Sequence, residues 1–322
     1  MIADRESMTA RLCSFARAHH AENTQEKIFD DFLAFDFMGN NQYEELSKLV
    51  ENGFCGRCNV DETGVCEAYL QSIRDDRERM ESLLNRYITP IPISRDAFSQ
   101  DALSAFLKRH SKCQVVICGA GMDTFSFRNA NRNVEVFELD HPDTQRFKRD
   151  RVRELGWDIP FNAHFVSVDF SREDMRKKLY HAGFNTRIPS FFTILGVTYY
   201  ISLEVFGETL RNIAVLGRHS ETEVVFDFPD DELATGSARG RELAEITAML
   251  GEPMEPGYPV QDLRSLLTEK DFAIRKHYTS DQIQENYFAG RGDGLSAFEH
   301  VHFVLASHRI PEKTEYSFVN YL

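Results

Sequence analysis

The chain has 322 residues, 37 Lys+Arg against 51 Asp+Glu, a formal charge of −14, six scattered cysteines and 42% hydrophobic residues. That length is ample for a sizeable core, and the acidic balance speaks against nucleic acid, whose phosphates are neutralised by a Lys/Arg surplus on one face. No apolar run approaches the roughly 20 residues that cross a bilayer, no signal-peptide pattern opens the chain, and the cysteine usage fits reduced thiols, so a cytoplasmic globular protein with no membrane partner is expected.

The first hundred residues read mostly as helix. In DDFLAFDFMG, Phe32, Leu33, Phe35, Phe37 and Met38 fall on one broad helical face before Gly39 ends the segment. From Glu67 to Tyr87 a charged stretch carries a helical stripe of Tyr69, Leu70, Ile73, Met80, Leu83 and Leu84, its charges reading as a solvated face. Pro90 and Pro92 are expected to break that helix, which suggests a helical cap over 1–95 and a second domain over 96–322. Beyond residue 95, five short apolar runs alternate with segments long enough for helices: 114–118, 134–139, 164–168, 191–196 and 224–228. Near-continuously apolar strands spaced by helices indicate an α/β fold, a doubly wound parallel sheet covered on both faces. Strands 272–278 and 301–307 follow, and a polar, Gly/Pro-marked insert at 229–262 precedes them.

The chemistry concentrates at the end of the first strand. QVVIC runs into Gly119-Ala120-Gly121-Met122-Asp123-Thr124, where glycines let the backbone approach a ligand closely. The second strand ends in Glu138-Leu139-Asp140, two acids alternating onto one side, and a carboxylate there can accept both ribose hydroxyls of an adenosine. A dinucleotide fingerprint wants a third glycine where Thr124 stands, and Asp123 would repel a pyrophosphate but attract an ammonium or sulfonium. S-adenosylmethionine is therefore favoured over a nicotinamide cofactor.

VVICGAGMDTFSFR followed by VFELDHPDTQRFKRDRV resembles the leucine carboxyl methyltransferase family, including its bacterial polyketide-type O-methyltransferase branch. Gly119, Ala120, Gly121, Asp123, Thr124, Arg128, Glu138, Asp140, Pro142 and Lys148 carry the resemblance, and VSVDF, HAGFN, LGVTYYIS and FDDFLAFDFMG extend it over roughly residues 27 to 307. It implies a class I S-adenosylmethionine-dependent methyltransferase sheet of seven strands, the last antiparallel. It also implies that Gly119 and Gly121 lie under the cofactor and Asp140 binds the ribose. Asp169 and Phe170 would flank the adenine, while Arg95, helped by Lys27, would hold the methionine carboxylate. One departure stands out: the family's fourth strand ends in an acid, which the resemblance implies would bind the methionine ammonium, and this chain has Leu195. Asp123, a backbone carbonyl or another residue would then take that role, or cofactor affinity would be reduced.

The expected reaction is methyl transfer to an oxygen, a carboxylate above all, of a small or mid-sized metabolite. Tyr199, Tyr200 and Arg95 are expected beside that acceptor, with the cap from Phe29 to Met38 closing over it. A carboxylate is ionised at neutral pH and needs no general base. Two other readings remain: a non-catalytic cofactor-binding protein, favoured by Leu195, and an NAD(P)-dependent oxidoreductase. Cys55, Cys58 and Cys66 give three local ligands where a structural zinc needs four, so no metal centre is expected. Asp227–Glu232 is read as a helix start, and Glu299, His300 and His302 as structural side chains.

Overall fold

The computed structural model describes residues 7–54, 75–170 and 172–308. Cys55, Cys58 and Cys66, together with the opening residues of the expected 67–87 helix, lie outside the described residues. The helical N-terminal region comprises α1 (Met8–Asn23), α2 (Ala34–Met38), α3 (Asn40–Phe54) and α4 (Asp76–Leu83), and then a single π-turn, Leu84–Ile88, leads to α5 (Pro90–Arg109). Gly39 ends α2 with a φ of 78°, a backbone region that side-chain-bearing residues avoid.

The prolines do not interrupt the helical path of the chain. Thr89 keeps helical backbone angles and Pro90 occupies the first position of α5, where a fixed φ suits the helix and the missing N–H costs nothing. The division expected at 95/96 therefore falls inside a helix that packs against both α1 and the sheet.

The sheet strands are β1 (Cys113–Cys118), β2 (Val134–Asp140), β3 (Ala163–Ser167), β4 (Ser190–Ile194), β5 (Thr222–Pro229), β6 (Phe272–Tyr278) and β7 (Val301–His308), in the spatial order β3-β2-β1-β4-β5-β7-β6. The first five run parallel, and β7 is antiparallel to both its neighbours. This is the doubly wound, seven-stranded class I methyltransferase arrangement. β1 is buried at every residue, as a central parallel strand must be. Its alternate side chains feed two cores: Val115 and Ile117 pack with α5 residues such as Phe98 and Phe106, whereas Val116 and Cys118 face the opposite side.

The connecting helices are α6 (Pro142–Glu154), α7 (Met175–His181), α8 (Leu203–Leu216), α9 (Ala238–Met249) and α10 (Val260–Glu269). α7, α8 and α10 cover the face opposite α5 through Leu179, Phe206, Leu210, Leu263 and Leu267. The N-terminal helices have a separate apolar core, in which Leu12, Phe15 and Ala16 of α1 meet Leu46, Val50, Met80 and Leu83. Among the described residues no helix is long and apolar enough to cross a membrane.

Burial makes stability depend on pH. His19, His20 and His277 are each pushed down to about 4, mainly because burial penalises their charge. The unfolded chain protonates such imidazoles near pH 6.5, so below that pH it binds more protons than the fold does. Asp96 acts the other way. Burial pushes its carboxyl up to about 6 despite the opposing influence of Arg17 and Arg95, so its contribution is fully present at low pH and lost as pH rises through 6. Burial likewise lowers His302 and His308 and raises Glu138, Asp140 and Glu223, so five imidazoles oppose four carboxyls, and the imidazoles set the sign between pH 6.5 and 5. The urea midpoint should therefore be lower at pH 5 than at pH 7; equal midpoints would mean that the imidazoles are solvated.

Candidate active site

The strand order reverses between β1 and β4, and in open α/β sheets the crevice beyond the carboxyl ends at that point receives the ligand. β1 ends there in the glycine turn. Gly119 and Ala120 donate their N–H groups to Leu139 O at 2.8 and 3.1 Å, which ties the turn to the end of β2. Gly119 has a φ of 76°, and a Cβ on it would come within 2.6 Å of Val197 Cγ2. Gly121, at a φ of 47°, faces Ala10 of α1.

Asp140 stands opposite this turn. Its carboxylate accepts the Gly121 N–H at 2.5 Å and the His141 N–H at 2.7 Å. Burial raises its pKa, and these two backbone donors oppose the rise. Asp169 and half-exposed Phe170 follow β3, the next strand out, where Val168 N–H bonds to Asp140 O.

Glu138 is placed otherwise. It is wholly buried, pairs with Lys148 Nζ at 2.5 Å and accepts from Ser126 Oγ at 2.6 Å. Lys148 also donates to Asp123 O, so this pair supports the turn from beneath rather than lining the crevice. The Asp123 carboxylate folds back onto Phe125 N–H at 2.5 Å, at the start of the short helix 125–128. Lys27 lies at the surface beside Asp30 at 3.1 Å and makes no described contact with the turn.

Arg95 is brought to the site from α5. Its Nη1 lies 3.3 Å from Asp227 Oδ2, its Nη2 approaches Cys13 Sγ at 3.8 Å, and its buried Nε has no hydrogen-bond partner among the described residues. Burial works against its charge, but Asp227, Cys13 and Asp96 outweigh that and raise its pKa. The guanidinium lies against Gly196, where a Cβ would sit 2.6 Å from Nη1. Tyr199 and Tyr200 follow in the turn after β4. Tyr199 is buried beside Asp227 without a hydrogen bond of good geometry, and burial holds both phenols well above their usual pKa.

Four residues at this site go beyond the sequence-based expectation: Arg17, Asp31, Asp96 and Asp227. Arg17 of α1 donates to Asp31 Oδ2 at 3.0 Å and Met122 O at 2.9 Å, and faces Asp96 at 3.7 Å. Asp31 in turn receives Thr124 Oγ1 and lies 3.2 Å from Arg128. Helix α1 thus lies over the glycine turn, while the expected cover, Phe29 to Met38, sits beside it against Thr124 and Arg151. The visible clue was Asp227, an acid inside the apolar run VVFDF. His300 and His302 both lie beside Asp230, at 3.1 and 3.0 Å, and no cluster of metal-ligating side chains occurs among the described residues. Asp227 and Pro229 belong to β5 while Glu232 stands at the N-cap of the short helix Leu233–Gly236, so the acidic run closes a strand and then leads into a helix, as expected for its second half only.

Removing one member of a buried ion pair leaves the other uncompensated. Lys148→Met should cost about 3–5 kcal/mol of stability in urea denaturation, and adding Glu138→Gln should recover some of that loss. A single variant as stable as wild type would show that Glu138 is neutral in the fold.

The family model described as leucine carboxyl methyltransferase matches residues 10–214. A Bacillus subtilis (strain 168) protein, YktD, provisionally named an S-adenosyl-L-methionine-dependent methyltransferase, is 32% identical over 317 residues, covering 95% of this chain and 99% of its own. A Mycobacteroides abscessus protein with the same provisional name is 31% identical over 155 residues, 48% of each chain. Among solved structures, magnesium protoporphyrin IX methyltransferase from Synechocystis with bound SAH is 12% identical, with a TM-score of 0.43 over 68% of this chain and 85% of its own. On the family model and the nearly full-length match to YktD, the chain belongs to the leucine carboxyl methyltransferase family.

Proposed function

We propose that the protein transfers a methyl group from S-adenosylmethionine to a carboxylate oxygen of a small or mid-sized metabolite. The observation that carries this reading is the constellation at the switch point. A tight glycine turn closed by Asp140 lies beside a buried guanidinium whose Nε has no partner among the described residues. These residues fit the cofactor. The turn leaves no room for a side chain at Gly119, the Asp140 carboxylate keeps lone pairs for two hydroxyls, and Arg95 offers donors to a carboxylate. When bound, the cofactor supplies a methyl group already activated on a sulfonium.

The protein contributes positioning and exclusion of water. Asp140 accepts the ribose hydroxyls, Asp169 and Phe170 border the adenine, and Arg95 holds the amino-acid tail. Tyr199 and Tyr200 keep their protons because burial disfavours the phenolate, so they act as hydrogen-bond donors to the acceptor rather than as bases. A carboxylate acceptor suits such a site, since it arrives ionised and its reaction with a sulfonium cancels charge as water is excluded. Helix α1, clasped over the turn by Arg17, supplies the exclusion.

A panel of carboxylic acids and phenols, assayed for methyl-donor consumption, tests the acceptor class. Turnover with acids and little change in rate above pH 6 are expected. Turnover confined to phenols and rising with pH would move the reading to a hydroxyl acceptor. Asp140→Ala should weaken binding of both S-adenosylhomocysteine and adenosine by about 1–3 kcal/mol in calorimetry, because each loses the same charge-assisted partner. Unchanged affinity for both would remove Asp140 from the ribose site.

A further inference from the structure

We propose that Asp227 takes over the role of the acid missing at Leu195 and binds the ammonium of the cofactor's methionine tail, with Arg95 taking its carboxylate; this rests on the methyl-donor reading above. Strands β4 and β5 are paired in parallel up to Ile194 and Phe226, so the next residues along, Leu195 and Asp227, end neighbouring strands. The acid has moved across by one strand, a spacing of about 4.8 Å. Its carboxylate points back at the vacated turn: Oδ1 accepts the Gly196 N–H at 2.7 Å. Thr198 Oγ1 fixes the backbone of the same residue by donating to Asp227 O at 2.6 Å.

Asp227 is wholly buried, and Val224, Val225, Phe226 and Phe228 around it in β5 are buried too. An acid inside such a strand is costly unless its charge is met. The contact with Arg95 meets it only loosely, at 3.3 Å against about 2.7–2.9 Å for a well-made charge-assisted bond. A carboxylate offers about four lone-pair sites, and the described bonds use two. The Arg95 Nε has no partner among the described residues either.

The two side chains therefore make a cradle of opposite charges matching an amino acid, which carries a carboxylate and an ammonium on one carbon. Binding exchanges the loose Arg95–Asp227 contact for two pairs with the ligand, and no net charge is buried. Gly196 makes the cradle possible, because any larger residue would occupy the space of the guanidinium. Leu195, partly buried against the core, brings no charge to this corner.

The test compares S-adenosylhomocysteine with its deamino analogue, in which hydrogen replaces the amino group, by calorimetry. Wild type should prefer the amino form by about tenfold or more, the size of one charge-assisted contact. Asp227→Asn should abolish that preference while leaving affinity for the deamino analogue nearly unchanged. Adding Leu195→Glu to Asp227→Asn, which restores an acid at the neighbouring strand end, should bring the preference back. Asp227→Asn retaining the wild-type ratio, or losing both ligands equally, overturns the proposal. If Asp227→Asn does not fold, Asp227→Glu, which keeps the charge but displaces it, must alter the ratio; an unaltered ratio overturns the proposal as well. Wild type that binds neither ligand would instead overturn the methyl-donor reading itself.

Discussion

The Arg17 guanidinium holds together the segments that meet above the strand ends. It reaches Asp31 between α1 and α2, the carbonyl of Met122 in the glycine turn, and Asp96 on α5. A cation buried this deeply is tolerated only because several acids surround it. Burial opposes its charge, but Asp96 and Asp31 more than offset that and raise its pKa. Asp31 passes the restraint on to Thr124 and Arg128, so both ends of the short helix 125–128 are fixed. The glycines alone could not set that geometry, since they permit many backbone conformations and enforce none.

Laid out along the sheet, the polar groups form a row. Asp169 and Phe170 follow β3, Asp140 ends β2, the glycine turn ends β1, Leu195 follows β4 and Asp227 lies near the end of β5. Five strands at about 4.8 Å apart span about 19 Å, room for a nucleoside with an amino-acid tail laid across the strand ends. Each position along the row has its own electrostatic character. Asp140 is held by backbone donors, whereas Arg95 and Asp227 face each other as side chains.

Much of this was legible in the residues. The strands stood out because parallel strands buried on both faces leave runs such as QVVIC and VVFDF, and the glycine turn with its acid stood out by spacing. Burial was harder to read. Glu138 and Asp140 share a side of β2, yet Lys148, ten positions on from one of them, draws Glu138 into the interior. Local pattern does not contain that pairing. The seating of α1 was likewise hidden, since an amphipathic helix does not say which surface it will cover. The prolines misled for a specific reason: the same fixed φ that ends one helix is suited to begin another.

The amino end of α1 is secured from far along the chain. Glu252 accepts from Ser7 Oγ at 2.9 Å, Met8 N–H at 2.8 Å and Thr9 N–H at 3.1 Å, so a carboxylate 245 positions away from Ser7 completes the helix start. During synthesis at about 5–20 residues per second, α1 waits roughly 12–50 s on the ribosome before that carboxylate exists. Through that interval its apolar side, Leu12, Phe15 and Ala16, can meet α3 and α4, and Arg17 can reach Asp31, Asp96 and Met122, so that only the fastening of the amino end waits for Glu252. The first helix to be made is therefore among the last to have its amino end fastened.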